Sequence, residues 1–192
     1  MKRRLVAVAA VALLLAACSA PGVSAEYEPG SGEYISGDGT THFWPEGERG
    51  DPVRFAGDTD TGVSLSSDDL AGQVVLVNFW YAGCGPCRTE AADLNDLYDE
   101  YSQDGVAFVG VNIRDDVANA LSFTEKYDVE YPSIMDVSDN AVTLAFATPA
   151  PPTTTPTTYL LDGEGRVAAR FTSAIQSPSV VAAMIDDLLA EL

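Results

Sequence analysis

The chain has 192 residues, and 29 acidic against ten basic side chains give a net charge of −19 at pH 7. A balance that negative argues against a nucleic-acid binder, because phosphate backbones reward Lys and Arg. It argues equally against attachment to an anionic membrane through basic clusters, so any anchoring has to come from another device.

Met1-Lys2-Arg3-Arg4 is a positively charged start, and Leu5 to Ala17 is an unbroken apolar run of 13 residues. That run is short of the roughly 20 residues a transmembrane helix needs and has the anatomy of a secretory signal. It ends in Leu15-Ala16-Ala17-Cys18, small residues before a Cys, which resembles a bacterial lipobox. The expectation is a lipoprotein signal over 1–17, with Cys18 becoming the lipidated N-terminus. The alternative is an ordinary signal peptide cut near Ala20 or Ala25. Lipidation would account for the odd cysteine, which would otherwise be a lone thiol in an oxidising compartment. Removing three of the ten cations leaves a mature chain near −22. Solubility of an exported protein explains that charge, and a preference for basic partners is the sharper reading.

Residues 18–50 are rich in Gly, Ser and Thr with little apolar periodicity, and read as a flexible tether. His42-Phe43-Trp44 interrupts it, as a small aromatic patch packing on the domain or as a haem-contacting site. The remainder, 51–192, is long enough for one hydrophobic core and not for two.

Within it, Val53-Arg54-Phe55 and Val63-Ser64-Leu65 suggest a short hairpin, and Val74 to Trp80 reads as a buried central strand. A turn then leads to Cys84-Gly85-Pro86-Cys87 and to a helix from Pro86 to Ser102, with Ala91, Leu94, Leu97, Tyr98 and Tyr101 on its apolar face. Both thiols therefore fall in the first turn of a helix, where residues three apart share a face and can close a disulfide. Unpaired N–H groups and the dipole favour a thiolate there, and a thiol that titrates near ~8.5 when free drops by a unit or more. Cys84, at the exposed end, is expected to attack, and Cys87, one turn in, to resolve the mixed disulfide. Half of a zinc site would need further ligands, and the only other Cys and His are Cys18 and His42, far upstream.

Val106 to Ile113 reads as a second parallel strand, nearly continuous in apolar residues. Asp115 or Asp116 caps a helix to about Tyr127 with Val117, Leu121 and Phe123 inward. A short strand over Tyr131 to Met135 and a short helix over Ala141 to Phe146 follow. Thr157 to Leu161 and Arg166 to Phe171, joined through Gly163-Glu164-Gly165, form an antiparallel hairpin, and Ser179 to Leu192 closes the domain as an amphipathic helix. Alternating strands and helices with a terminal hairpin give an α/β fold, a mixed sheet covered on both faces.

Val77-Asn78-Phe79-Trp80, then Cys84-Gly85-Pro86-Cys87-Arg88 and Glu90, resembles the thioredoxin fold, and more narrowly the membrane-tethered TlpA/ResA-like thiol–disulfide oxidoreductases. The resemblance covers roughly Asp51 to Leu192. It implies a thioredoxin-like three-layer fold in which the helix–strand unit after the second parallel strand is the subfamily's insertion. It implies that Glu90 governs proton transfer near the thiols, and that Asn78 replaces the buried Asp of cytoplasmic thioredoxins. It places a cis-proline opposite the disulfide, at Pro156 of Thr155-Pro156-Thr157 with Pro152 as rival. The backbone of Thr155 would then pair with an approaching peptide. Trp80 and Tyr81 are expected beside the site, Trp80 as substrate surface or as core. Two positions depart from the family: Gly83 stands where a Trp is usual before the first Cys, and Ala92 where a helix-kinking Pro is usual.

The activity so implied is disulfide reduction outside the cytoplasmic membrane, with no cofactor beyond the dithiol and the protein acting as a monomer. The substrates would be proteins carrying disulfides, apocytochrome c with its Cys-x-x-Cys-His in particular, and a CcdA/DsbD-type membrane protein would donate electrons. The Gly-Pro dipeptide leans toward reduction. The alternatives are an oxidase that introduces disulfides into exported proteins and a non-catalytic binding lipoprotein. A Sco-type copper chaperone would need C-x-x-x-C and a downstream His, and a peroxiredoxin P-x-x-x-T-x-x-C; both are absent.

Overall fold

A computed structural model of the chain describes residues 34–35, 40–148 and 150–192. The signal over 1–17 and Cys18 lie outside the described residues. Nine strands and four α-helices are seen among those described: β1 (Tyr34–Ile35), β2 (Thr41–Phe43), β3 (Ala56–Asp58), β4 (Ser64–Ser66), β5 (Val74–Trp80), α1 (Gly85–Tyr101), β6 (Val106–Asn112), α2 (Val117–Lys126), β7 (Ser133–Met135), α3 (Ala141–Ala145), β8 (Thr157–Leu161), β9 (Val167–Thr172) and α4 (Pro178–Ala190). Seven strands form one sheet in the order β1-β2-β9-β8-β5-β6-β7, and β3 and β4 pair by themselves. β5, β6 and β7 run parallel, while β8, β9, β2 and β1 continue the sheet antiparallel.

All seven residues of β5 are buried, and their alternation divides the core in two. Val74 and Leu76 face a cluster with Leu94 and Leu97 of α1 and with Val181, Met184, Ile185 and Leu188 of α4. Val75, Val77 and Phe79 face the other way, onto Val53, Phe55, Val142 and Phe146. Each face removes several large side chains from water, at about 1.5–3 kcal/mol per fully buried Val, Leu, Ile or Phe. The central strands must therefore be apolar on both sides, which explains their lack of polar alternation. The expected α/β thioredoxin-like sheet, flanked by helices and closed by a hairpin, is the fold observed. At the hairpin turn Gly165 has φ +83°, and buried Asp162 accepts from the N–H groups of Glu164 and Arg166.

Three expectations are corrected. The tether over 18–50 does not extend unbroken to Gly50, because β2 pairs with β9 and β1 with β2. Phe43 is buried, Trp44 donates its N–H to the Ala168 carbonyl, and His42 and Trp44 stack at 3.8 Å, so the aromatic patch does pack on the domain. Arg49 fixes this segment, its guanidinium meeting Asp162 at 3.0 Å, Glu191, and the Trp44 carbonyl. The short hairpin is displaced downstream, because Val53 and Phe55 enter the core and leave pairing to Ala56–Asp58. In α2, Asp116 is the N-cap, accepting from the Asn119 N–H at 2.8 Å. The face that packs inward carries Ala120 and Phe123; Val117 and Leu121 are 44% and 41% exposed.

Candidate active site

β5 ends at Trp80, and after three intervening residues the chain enters α1 with Cys84 as its N-cap. Pro86 sits in the first turn, where its missing N–H costs nothing. This short connection puts Cys84 and Cys87 on one face, Cα atoms 5.3 Å apart, joined by a disulfide. The Cys87 N–H points at Cys84 Sγ from 3.1 Å, so the helix terminus is aimed at that sulfur. It favours negative charge on Cys84 when the bond opens. Both residues are nonetheless covered, Cys84 at 1% and Cys87 at 3% exposure, which corrects the expectation that Cys84 stands at the exposed end. Its flanks Gly83, Gly85 and Pro86 are the exposed residues. What distinguishes the two sulfurs is their neighbours.

Cys84 Sγ lies 3.7 Å from the carbonyl oxygen of Thr155, and the Thr155–Pro156 bond is cis. Pro156, not Pro152, is therefore the proline opposite the disulfide, with Thr155 presenting its backbone beside Cys84. Beyond Cys87, one helical turn inward, Glu90 is only 1% exposed. Its Oε1 accepts from Asn78 Nδ2 at 2.9 Å and its Oε2 from the Ile175 N–H at 3.1 Å. Burial outweighs these two bonds and pushes the Glu90 carboxyl up to about 7. A carboxyl moved from the ordinary acid range toward neutrality can both give and take a proton there, which suits a donor and acceptor for thiols. Asn78 also donates to Thr158 Oγ1 at 3.0 Å, tying Glu90 to the strand that follows Pro156. Burial, and to a lesser degree the Glu90 charge, push the Tyr131 hydroxyl up and keep it neutral. A void of about 10 Å³ behind Cys87 is walled by Asn78, Trp80, Phe123 and Tyr131.

Cys84, Cys87, Glu90, Thr155 and Pro156 thus come together. Trp80 does not reach the substrate surface: it is 4% exposed, donates Nε1–H to Ser133 Oγ at 3.1 Å, and lies against the Phe123 ring at 4.4 Å. It is the floor beneath the disulfide. Tyr81 is half-buried at the rim, as expected.

Several contributors escaped the sequence reading. The Ala82 N–H donates to Asp115 Oδ2 at 2.6 Å, and the Ala82 carbonyl accepts from Arg88 Nε at 2.9 Å. Asn112 Oδ1 in turn accepts from the N–H groups of Arg114 and Asp115. The signal for these was a polar cluster at the C-terminal end of a parallel strand, where loops in α/β sheets carry function. Ile175 contributes only a backbone N–H and had no signal at all.

Comparison with known proteins agrees with this fold. Residues 50–170 match the AhpC/TSA family. A DsbF homologue from Corynebacterium diphtheriae superposes with a TM-score of 0.68 at 32% identity, covering 85% of this chain and 98% of that one. A secreted thiol-disulfide isomerase from Corynebacterium glutamicum gives 0.69 at 30% identity, covering 81% and 96%. The thiol-disulfide oxidoreductase ResA of Geobacillus thermodenitrificans is 30% identical over 112 residues, 58% of this chain and 62% of the relative's length. The chain belongs to the AhpC/TSA family and carries the thioredoxin-like fold of its thiol–disulfide oxidoreductases.

Proposed function

We propose that the protein is an extracytoplasmic disulfide reductase, held at the outer face of the cytoplasmic membrane by a lipid on Cys18. Its preferred substrate is the Cys-x-x-Cys-His disulfide of apocytochrome c, and a CcdA/DsbD-type membrane protein recharges it. The observation that carries the reading is the Cys84–Cys87 pair at the start of α1 with the buried carboxyl of Glu90, near pH 7, one turn below.

The reduced protein presents a Cys84 thiolate, favoured by the Cys87 N–H. It attacks one sulfur of the substrate disulfide; the other leaves as a thiolate and takes a proton from solvent. The substrate strand lies against Thr155 during this step. Cys87 then yields its proton to the Glu90 carboxylate and attacks Cys84 Sγ, expelling the second substrate sulfur. The substrate gains two electrons and two protons, and the Cys84–Cys87 disulfide closes. Glu90 returns its proton to solvent or to the departing sulfur.

A second reading, catalysis of disulfide formation or isomerisation in exported proteins, draws support from the secreted thiol-disulfide isomerase of Corynebacterium glutamicum, which aligns over 96% of its length at 30% identity. The equilibrium potential of the Cys84–Cys87 pair in graded thiol buffers separates the two. A value near or below about −270 mV is the reductase result, and one near about −120 mV would make the protein an oxidant.

A further inference from the structure

Beyond the leader, the chain holds seven cations among 29 acidic side chains, so most arginines would be expected to sit against carboxylates. Arg49, Arg54 and Arg166 do. Arg88 and Arg114 are different. Both are exposed, both flank the loop that leads into Cys84, and neither forms an ion pair among the described residues. Arg88 gives two hydrogen bonds to the Ala82 carbonyl, and the Arg114 guanidinium lies over the Tyr81 ring, 4.4 Å from its centre. The carboxylates beside Arg114 are engaged elsewhere: Asp115 accepts from the Ala82 N–H and the Asn112 amide, and Asp116 caps α2.

The loop is built to hold this arrangement. Tyr81 leads directly to the nucleophile, its carbonyl accepting from the Cys84 N–H at 3.0 Å. A Cβ at Gly83 would meet Tyr81 Cε2 at 3.2 Å, so the ring lies against space that a larger residue at 83 would claim. The result is an aromatic surface next to the disulfide with two guanidinium groups in no ion pair among the described residues, the Asp115 and Asp116 carboxylates nearby being turned to backbone and amide donors.

We propose that Tyr81, Arg114 and Arg88 form a recognition rim for substrate segments carrying a carboxylate side chain next to the cysteine to be attacked. The proposal rests on the thiol–disulfide exchange reading above and adds to it a substrate class. The overall negative charge repels acidic segments from most of the surface, and the rim accepts them beside Cys84, which fixes the orientation of approach. The Arg114–Tyr81 stack holds the guanidinium in place without neutralising it.

The test uses the full-length reduced protein and two disulfide-bridged peptides that differ only in Glu or Lys next to the bridged cysteine. The expected result is an exchange rate about fivefold higher for the Glu peptide at low ionic strength, with the ratio falling toward one in high salt. Arg114→Glu should bring the ratio below one, and Tyr81→Ala should reduce it by loosening Arg114. Arg54→Glu makes the same charge change beside a groove at the far end of β5 and should leave the ratio as in the native protein. Equal rates for the two peptides, an Arg114→Glu ratio like the native one, or an Arg54→Glu effect as large as that of Arg114→Glu would overturn the rim. Failure of an intact dithiol to exchange with either peptide would instead bring down the functional reading, and the rim with it.

Discussion

The side-chain amide of Asn78, on the central strand, donates to Glu90 Oε1 at 2.9 Å across the interface between β5 and α1. This single bond, with the Ile175 N–H on the other oxygen, holds a buried carboxyl one turn from Cys87 in a setting where burial still dominates.

Glu90 should therefore leave a pH signature on stability. Its folded value of about 7 lies above the ordinary 4.5, so the protonated form is favoured by folding. Stability from this group is complete below about pH 4.5 and is lost as pH rises through about 7, amounting to about 3 kcal/mol. Urea unfolding of the native protein and Glu90→Gln at pH 4 and pH 8.5 measures it. Relative to the native protein, the variant should gain about 3 kcal/mol across that range, while its exchange rate at pH 7 falls about tenfold or more. Parallel stability curves for the two proteins would contradict the buried titration.

Replacing Asn78 with Asp removes the amide donor and sets a second carboxylate against Glu90. Two acids at that distance cannot both ionise, so one holds its proton well into the alkaline range. Asn78→Asp is expected to lose about 2–4 kcal/mol at pH 8 and much less at pH 5. Denaturant midpoints at the two pH values decide the matter.

Gly110 on β6 lies directly beside Ser133 of β7, and a Cβ there would collide with Ser133 Oγ and stand 2.9 Å from Trp80 Nε1. Gly110→Ala should break the Trp80–Ser133 hydrogen bond and tilt the floor beneath Cys87, at a cost of about 1–3 kcal/mol. Thermal unfolding, together with a shift in Trp fluorescence, checks it.

Strand β5, the start of α1 and the β8–β9 hairpin were legible because both-face burial, the Cys-Gly-Pro-Cys turn and the Gly163–Gly165 punctuation are local signals. The neighbours of Glu90 were not, since Ile175 is 85 residues away and offers only backbone. Strand β2 was hidden in a Gly-rich stretch because its three residues gain their order from the edge of β9 rather than from their own pattern. The inward face of α2 was misassigned for a similar reason. Phe123 is inward as expected, but Val117 and Leu121 are not, because packing against Trp80 and Ala91 selects the small Ala120 beside it.

Arg49 provides the check on that hidden segment. Its side chain is fully buried between Asp162 and Glu191, so Arg49→Met leaves two carboxylates short of a partner. Asp162 keeps Arg166, which limits the loss to about 2–4 kcal/mol. Hydrogen exchange should accelerate in β2, and the potential of the Cys84–Cys87 pair should stay unchanged.

The assignment of Cys84 as nucleophile and Cys87 as resolving thiol is most directly tested by trapping. Cys87→Ser, mixed with an oxidised Cys-x-x-Cys-His peptide, should accumulate a mixed disulfide that mass spectrometry places on Cys84, while Cys84→Ser gives none. An adduct on Cys87 in the Cys84→Ser protein, with none in the Cys87→Ser protein, would contradict the account.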